Sequence, residues 1–323
     1  MHTVLLLTSL LVVTLIGSLA LRYQQRLPNW PHRRVMQGAV LVMPLISLGI
    51  GACDLHHVLV HPCFPHAPIW DDLLGSALAI GILAMALFAL LWGCARWALL
   101  LWFMRRAGER AGLPIQELVA ACAERIGTRK PAVRLLVAAH PLACASGWVR
   151  PLVLLSTWMV EHLDQRELEA VITHELAHVA RRDTLVLWVG RMLRDAFWYL
   201  PTSRTAYHLL EQEKELACDD LAVAVTQRPL ALASALTKVW LQAVDGASSS
   251  TFGMAHHLEG THQQMVERIE RLMASSRSSA MAAVSAPSGV SVLSALGAVE
   301  TVILLIVFGV MACGPLLLLT RWF

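Results

Sequence analysis

His174-Glu175-Leu176-Ala177-His178 sets two imidazoles four positions apart with a carboxylate beside the first. On an α-helix, positions i and i+4 share a face, about 6 Å apart along the axis, so two ring nitrogens can converge on one zinc ion. Glu175 then lies beside the metal rather than on it. There it can take the proton of a water that attacks a polarised carbonyl. A hydrolytic zinc keeps three protein ligands and one open position, so a third ligand must come from elsewhere in the chain. Glu215 is a candidate, within Glu211-Gln212-Glu213-Lys214-Glu215-Leu216-Ala217-Cys218-Asp219-Asp220 on a second expected helix. Asp219, one turn later, is placed to hydrogen-bond a ligand histidine from behind and fix its tautomer. Glu211, Glu213 and Glu215 read equally well as one solvated helix face, and spacing alone does not separate the two readings.

The elements that would carry these residues can be read locally. Gln165–Arg182 is expected to be helical, with Asp164 as N-cap and Glu167 in the capping-box position. Val133–Ala138 and Leu152–Ser156 are short apolar runs preceded by prolines and read as strands. Thr184–Leu200 is apolar but carries Arg191, Arg194 and Asp195, the pattern of an amphipathic or membrane-skimming helix. Asp183 reads either as the cap of that helix or as support for the site.

Composition sets these elements in a membrane protein. Of 323 residues, 56% are hydrophobic and 15% charged, against about 25% charged in an average soluble domain. The mean hydropathy is +0.57. A net charge of +3 gives no support for nucleic-acid binding. The seven cysteines form no CxxC pair, which argues against a cysteine-built zinc site; Cys53 and Cys63 share one short loop and are expected to be free thiols, the alternative being a bridge if that loop faces an oxidising compartment. Four apolar runs are long enough to span a bilayer, at about 3–21, 36–52, 73–95 and 296–320. Arg22, Arg26, Arg33 and Arg34 follow the first run. The second loop has Asp54, Asp71, Asp72 and four histidines (His56, His57, His61 and His66) without a Lys or Arg, and Arg96, Arg105, Arg106 and Arg110 follow the third run. By the positive-inside rule both termini are outside and the block after Arg105 is cytoplasmic. The histidines of the outer loop are expected to be solvated. Residues 274–291, rich in Ser and Ala with Pro287 and Gly289, read as a flexible linker.

His174–His178 followed by Val-Ala-Arg-Arg-Asp183, then Glu215-Leu-Ala-Cys-Asp219, resembles the gluzincin integral-membrane metallopeptidases. Two branches are similar: the BlaR/MecR-type antibiotic-sensing proteases and the HtpX and CAAX-protease-like enzymes. The resemblance implies Glu215 as the third zinc ligand. It implies that Cys144, Ala145, Ser146 and Gly147, ahead of Arg150-Pro151, form an edge that takes substrate backbone as an added strand. Thr261-His262 followed by Arg268-Ile269 resembles a Thr-His-Pro…Arg-Ile pattern of the HtpX-like branch, with Gln263 in place of the proline. It implies His262 and Arg268 near the active site, as oxyanion donors or, alternatively, facing solvent on a C-terminal helix. The three-plus-one span layout favours the BlaR/MecR-type branch. With Phe323 three residues beyond the fourth run, no extracellular sensor domain is expected.

The expected architecture is a mainly α membrane protein. Residues 1–104 form three transmembrane helices, and a cytoplasmic α+β zincin-type protease domain (105–273) is inserted between helices three and four. The expected function is a zinc-dependent endopeptidase of the bacterial inner membrane with one Zn2+ per chain. It would cut protein or peptide substrates, among them a transcriptional repressor in signalling or damaged membrane proteins in quality control. The alternative is a non-catalytic zinc-containing membrane receptor or scaffold, in which Glu175 would have no task.

Overall fold

The computed structural model describes residues 2–24, 30–60, 69–147, 151–248 and 255–281. In chain order they form α1 (His2–Gln24), α2 (Trp30–Val42), α3 (Pro44–Val60), α4 (Ile69–Arg106), β1 (Glu109–Arg110), α5 (Leu113–Ile126), β2 (Ala132–Leu136), β3 (Ala143–Ser146) and β4 (Leu152–Ser156). There follow α6 (Thr157–His162), α7 (Gln165–Ala180), α8 (Asp183–Ala196), α9 (Pro201–Thr226), α10 (Pro229–Ser248) and α11 (Ala255–Met281). The described chain is mostly helical, with one small sheet. It divides into two compact units: one through Arg96 together with Leu187–Glu213, the other from Trp97 to Val186 and from Lys214 onward.

The first unit holds apolar helices. Leu6–Gln24, Arg33–Cys53 and Leu73–Arg106 are each long and apolar enough to cross a membrane. Their outward faces are apolar as well, with Leu11 70% exposed and Phe88 61% exposed, a surface suited to lipid rather than water. The second span is not one straight helix. It breaks at Met43, because Pro44 has no N–H to continue the ladder. Leu21, Val40 and Leu41 pack on Ala206, Tyr207 and Leu210 of α9. The indole of Trp188 on α8 donates to the Gly93 carbonyl at 3.1 Å. α8 follows the amphipathic pattern expected of it: Arg191 donates to the Tyr207 hydroxyl at 3.3 Å, and the Arg194 guanidinium lies over the Tyr207 ring.

The second unit is built on a four-stranded sheet in the order β1-β2-β4-β3. β2 and β4 run parallel, with Ala132 opposite Leu152, while β1 and β3 flank them antiparallel. Val153, Leu154 and Leu155 of β4 are all buried, as an interior strand covered on both faces should be. β3 is the edge strand on the site side. α7 lays Ile172 and Leu176, both fully buried, into a core shared with Val119 and Cys122 of α5 and Val153 and Leu155 of the sheet. Each such side chain contributes roughly 1.5–3 kcal/mol by leaving water.

The start of α7 is tightly specified. Asp164 accepts from the Arg166 and Glu167 N–H groups at 2.8 Å, and Glu167 accepts from the Asp164 N–H at 2.9 Å. Such a cap stabilises a helix by about 1 kcal/mol. Glu167 also accepts from Lys238 at 2.7 Å and Ser234 at 2.6 Å, which ties α10 to α7. α11 packs Ile269 and Leu272 against Ala222 and Leu232.

Three boundaries differ from the sequence reading. α3 runs to Val60, so His56 and His57 are on a helix rather than in the second loop. α4 runs from Ile69 to Arg106, past both ends of the 73–95 run. α11 carries helical backbone to Met281, into the segment whose Ser/Ala composition suggested a linker. His61, Cys63, His66 and the fourth apolar run lie outside the described residues.

Candidate metal centre

α7 points His174 and His178 from one face, where their Nε2 atoms lie 3.2 Å apart. Glu215 of α9 completes a triangle, with Oε2 3.4 Å from His174 Nε2 and Oε1 3.8 Å from His178 Nε2. Zinc bonds of about 2.0–2.1 Å place tetrahedral ligand atoms roughly 3.3 Å apart, so the three donors fit such an ion. Chemistry agrees with size. Two imidazole nitrogens and a carboxylate aimed at one point are a donor set that suits a divalent cation. Both histidines are buried.

The charges around this triangle are arranged to hold it. His174 Nδ1 lies 2.9 Å from Asp219 Oδ1, so the ring is held from behind by the carboxylate one turn after Glu215. Burial would push the His174 imidazole down, but Asp219 and Glu215 beside it hold it up at about 9. Burial would likewise raise the Glu215 carboxyl, but His174, Lys214 and His178 drive it far below the usual range. Arg268 grips Asp219 with two hydrogen bonds, of 2.7 and 2.8 Å, and its third nitrogen is 3.3 Å from Glu215 Oε2. Bidentate pairs of this kind are strong and fix geometry.

That arrangement differs from an oxyanion donor. The Arg268 guanidinium faces the carboxylates of α9, and α11 brings it there by packing Ile269 and Leu272 on the unit's core. His262 stands earlier on α11; its side chain lies outside the described set.

Glu175 points to the sheet edge. Its Oε2 accepts the backbone N–H of Ala145 at 3.1 Å, so the carboxylate beside the triangle touches β3 directly. Cys144, Ala145 and Ser146 make up most of that strand, and Gly147 follows in the left-handed region at φ +96. Burial and the nearby Glu175 carboxylate push the Cys144 thiol up to about 11, which keeps it protonated. Ser146 is buried. The structure therefore brings His174, His178, Glu175, Glu215, Asp219, Arg268 and the 144–147 edge to one place.

Two neighbours were not singled out from the sequence. Cys218 lies between Glu215 and Asp219, with its sulfur 3.0 Å from His178 Nδ1 and 3.2 Å from Asp183 Oδ2. Arg181 Nε donates to the same Asp183 oxygen at 3.1 Å. The turn that places them is unusual. Arg182 adopts φ +55, a left-handed conformation costing an L-residue about 1–2 kcal/mol, and its N–H bonds back to the Val179 carbonyl at 3.1 Å. Arg182→Gly should therefore raise stability by about 1 kcal/mol. Urea unfolding of the two proteins in detergent measures this, and a less stable glycine variant would mean that the Arg182 side chain contributes more than its backbone costs.

Comparison with known proteins agrees with this geometry. The family model described as BlaR1 peptidase M56 matches residues 65–272. Protease HtpX homolog 1 of Streptomyces coelicolor is 31% identical over 198 residues, covering 49% of this chain and 65% of that protein. The protease HtpX homolog of Acidiphilium cryptum is 26% identical over 198 residues, covering 51% and 69%. That of Methanopyrus kandleri is 27% identical over 158 residues, covering 39% and 50%. The chain thus spans from half to about two thirds of the length of these curated relatives.

Proposed function

The chain belongs to the BlaR1 peptidase M56 family, and from that premise we propose that it is a zinc-dependent endopeptidase cutting protein substrates at the cytoplasmic face of a membrane. Membership in this HtpX/BlaR group of membrane metallopeptidases accounts for the three apolar helices and the His-His-Glu cluster together. The observation that carries the finer reading is the convergence of His174, His178 and Glu215 with the unliganded carboxylate of Glu175 beside them.

His174, His178 and Glu215 would hold a zinc ion, which would supply an electrophile for the scissile carbonyl. The chain's own groups do the rest. Glu175 takes the proton of the attacking water and passes it to the leaving amine. The edge of β3, at Cys144–Ser146 and on to Gly147, takes the substrate backbone as an added strand and presents one peptide bond to Glu175. Asp219 holds His174 in the tautomer that leaves Nε2 open. Arg268 is a positioning residue that fixes Glu215 and Asp219 on α9, a role its contacts support. His262 is assigned the hydrogen bond to the developing oxyanion. A casein or self-cleavage assay on the purified full chain, with and without chelator, tests the reading. No cleavage at all would favour a non-catalytic scaffold, and cleavage that survives the chelator would overturn the metal-dependent reading.

The same reading places three spans in residues 1–104, the protease domain in 105–273 and a fourth span at 296–320, with both termini outside. Its substrate is a cytoplasmic repressor in a signalling pathway or a damaged membrane protein. Reporter fusions at Ser275 and Phe323 should report opposite sides of the bilayer. Two fusions on one side would remove the fourth span.

A further inference from the structure

We propose that Asp183 is the positioning residue of His178, so that each ligand histidine is held from behind by its own carboxylate and its own arginine. This rests on the reading of His178 as a metal ligand. The first relay runs from His174 Nδ1 to Asp219 at 2.9 Å and on to Arg268. The second runs from His178 Nδ1 to Asp183 Oδ2 at 3.4 Å and on to Arg181 Nε at 3.1 Å. His178, Asp183 and Cys218 are all buried, so these contacts are not made in competition with bulk water.

The hydrogens can be assigned from the donors present. With Nε2 turned toward the ligand triangle, Nδ1 must carry the imidazole hydrogen. Two acceptors face it, the Cys218 sulfur at 3.0 Å and Asp183 Oδ2. The thiol in turn donates to Asp183 at 3.2 Å. One carboxylate oxygen therefore gathers the imidazole N–H, the thiol and the Arg181 guanidinium, and the arginine balances its charge. A donor in place of that oxygen would force the other tautomer and turn a protonated Nε2 toward the metal.

The two relays share one turn of α9. Asp219 serves His174 and Cys218 serves His178, while Glu215 supplies the ligand between them. The second relay also explains the turn at Arg182. An uninterrupted α7 would carry residue 183 away from residue 178, five positions earlier; the left-handed residue folds the chain back so that Asp183 lies behind the ring.

The test is metal affinity of the purified full chain, measured by chelator competition, with the visible spectrum of the cobalt-substituted protein as a second readout. Asp183→Ala should lower zinc affinity roughly 10–100-fold, the range for loss of a carboxylate behind a ligand histidine, and should alter the cobalt spectrum. Asp183→Asn, whose amide oxygen can still accept the Nδ1 hydrogen, should lose less. Wild-type affinity and spectrum in Asp183→Ala would overturn the proposal. If the alanine variant does not fold, Asp183→Leu, which is close in volume and has no acceptor, replaces it under the same criterion. Two metal equivalents per chain, one of them lost in Cys218→Ala, would overturn it differently by making the group a second metal site. Glu215→Ala separates the underlying reading: if that variant binds zinc as tightly as wild type, the ligand set itself is wrong.

Discussion

Glu175→Gln is expected to lose roughly 10²–10⁴-fold in turnover and to keep its metal, the range that general-base catalysis supplies. The glutamine has the same shape and can still accept the Ala145 N–H that Glu175 accepts at 3.1 Å, so the edge of β3 should stay in place. What disappears is the ability to take a proton from water. Because Glu175 is adjacent to His174 in sequence yet contacts the sheet and not the triangle, metal content and turnover should separate cleanly in this variant. Purified wild type and variant, compared by metal analysis and peptide hydrolysis, decide it. An active Glu175→Gln would move the base elsewhere; a metal-free one would make Glu175 part of the ligand set.

Glu215→Ala should have the larger effect on metal. It removes the only carboxylate within 3.4 Å of His174 Nε2 among the described residues, and it leaves Arg268 with one anionic partner fewer. A half-buried cationic guanidinium close to the triangle then opposes the incoming ion. Affinity should fall by more than the roughly 10–100-fold typical of losing a carboxylate behind a ligand, and chelator-sensitive hydrolysis should vanish with it. Chelator competition on the two proteins checks this. Unchanged stoichiometry and affinity would pass the third position to another group.

The histidine pair and its helix were legible because every signal was local. The i, i+4 spacing, the Asp164 cap and Glu167 three residues later belong to one stretch of chain, and all were found as read. The three glutamates of α9 show where local reading stops. Glu211 lies 3.5 Å from the Tyr207 hydroxyl, Glu213 lies 3.5 Å from Arg33, and Glu215 turns to the histidines. Glu211 and Glu215, four positions apart, share a helix face that Glu213 does not, and what separates the three is which element approaches each. The residues alone make Glu215 a candidate, and only the family resemblance decides for it over a solvated face. The sequence leaves Arg268 between an oxyanion donor and a solvent-facing residue because nothing in its neighbourhood announces Asp219, 49 positions away. Asp183 stayed ambiguous for a related reason. Its position depends on a left-handed conformation at Arg182, and arginine is not a residue that signals one. The break at Met43 was readable from Pro44 inside an apolar run, but hydropathy alone passes over it.

The grip of Arg268 on Glu215 and Asp219 also bears on how the protein is made. The ribosome releases the histidine helix first, then the carboxylates of α9, and only later the arginine that fixes them. At roughly 5–20 residues per second, the nascent chain carries two histidines and a potential base for several seconds before the third ligand is clamped. During synthesis, then, the candidate centre closes from first to last: its histidines leave the ribosome before Glu215 and Asp219, and Arg268 on α11 follows both.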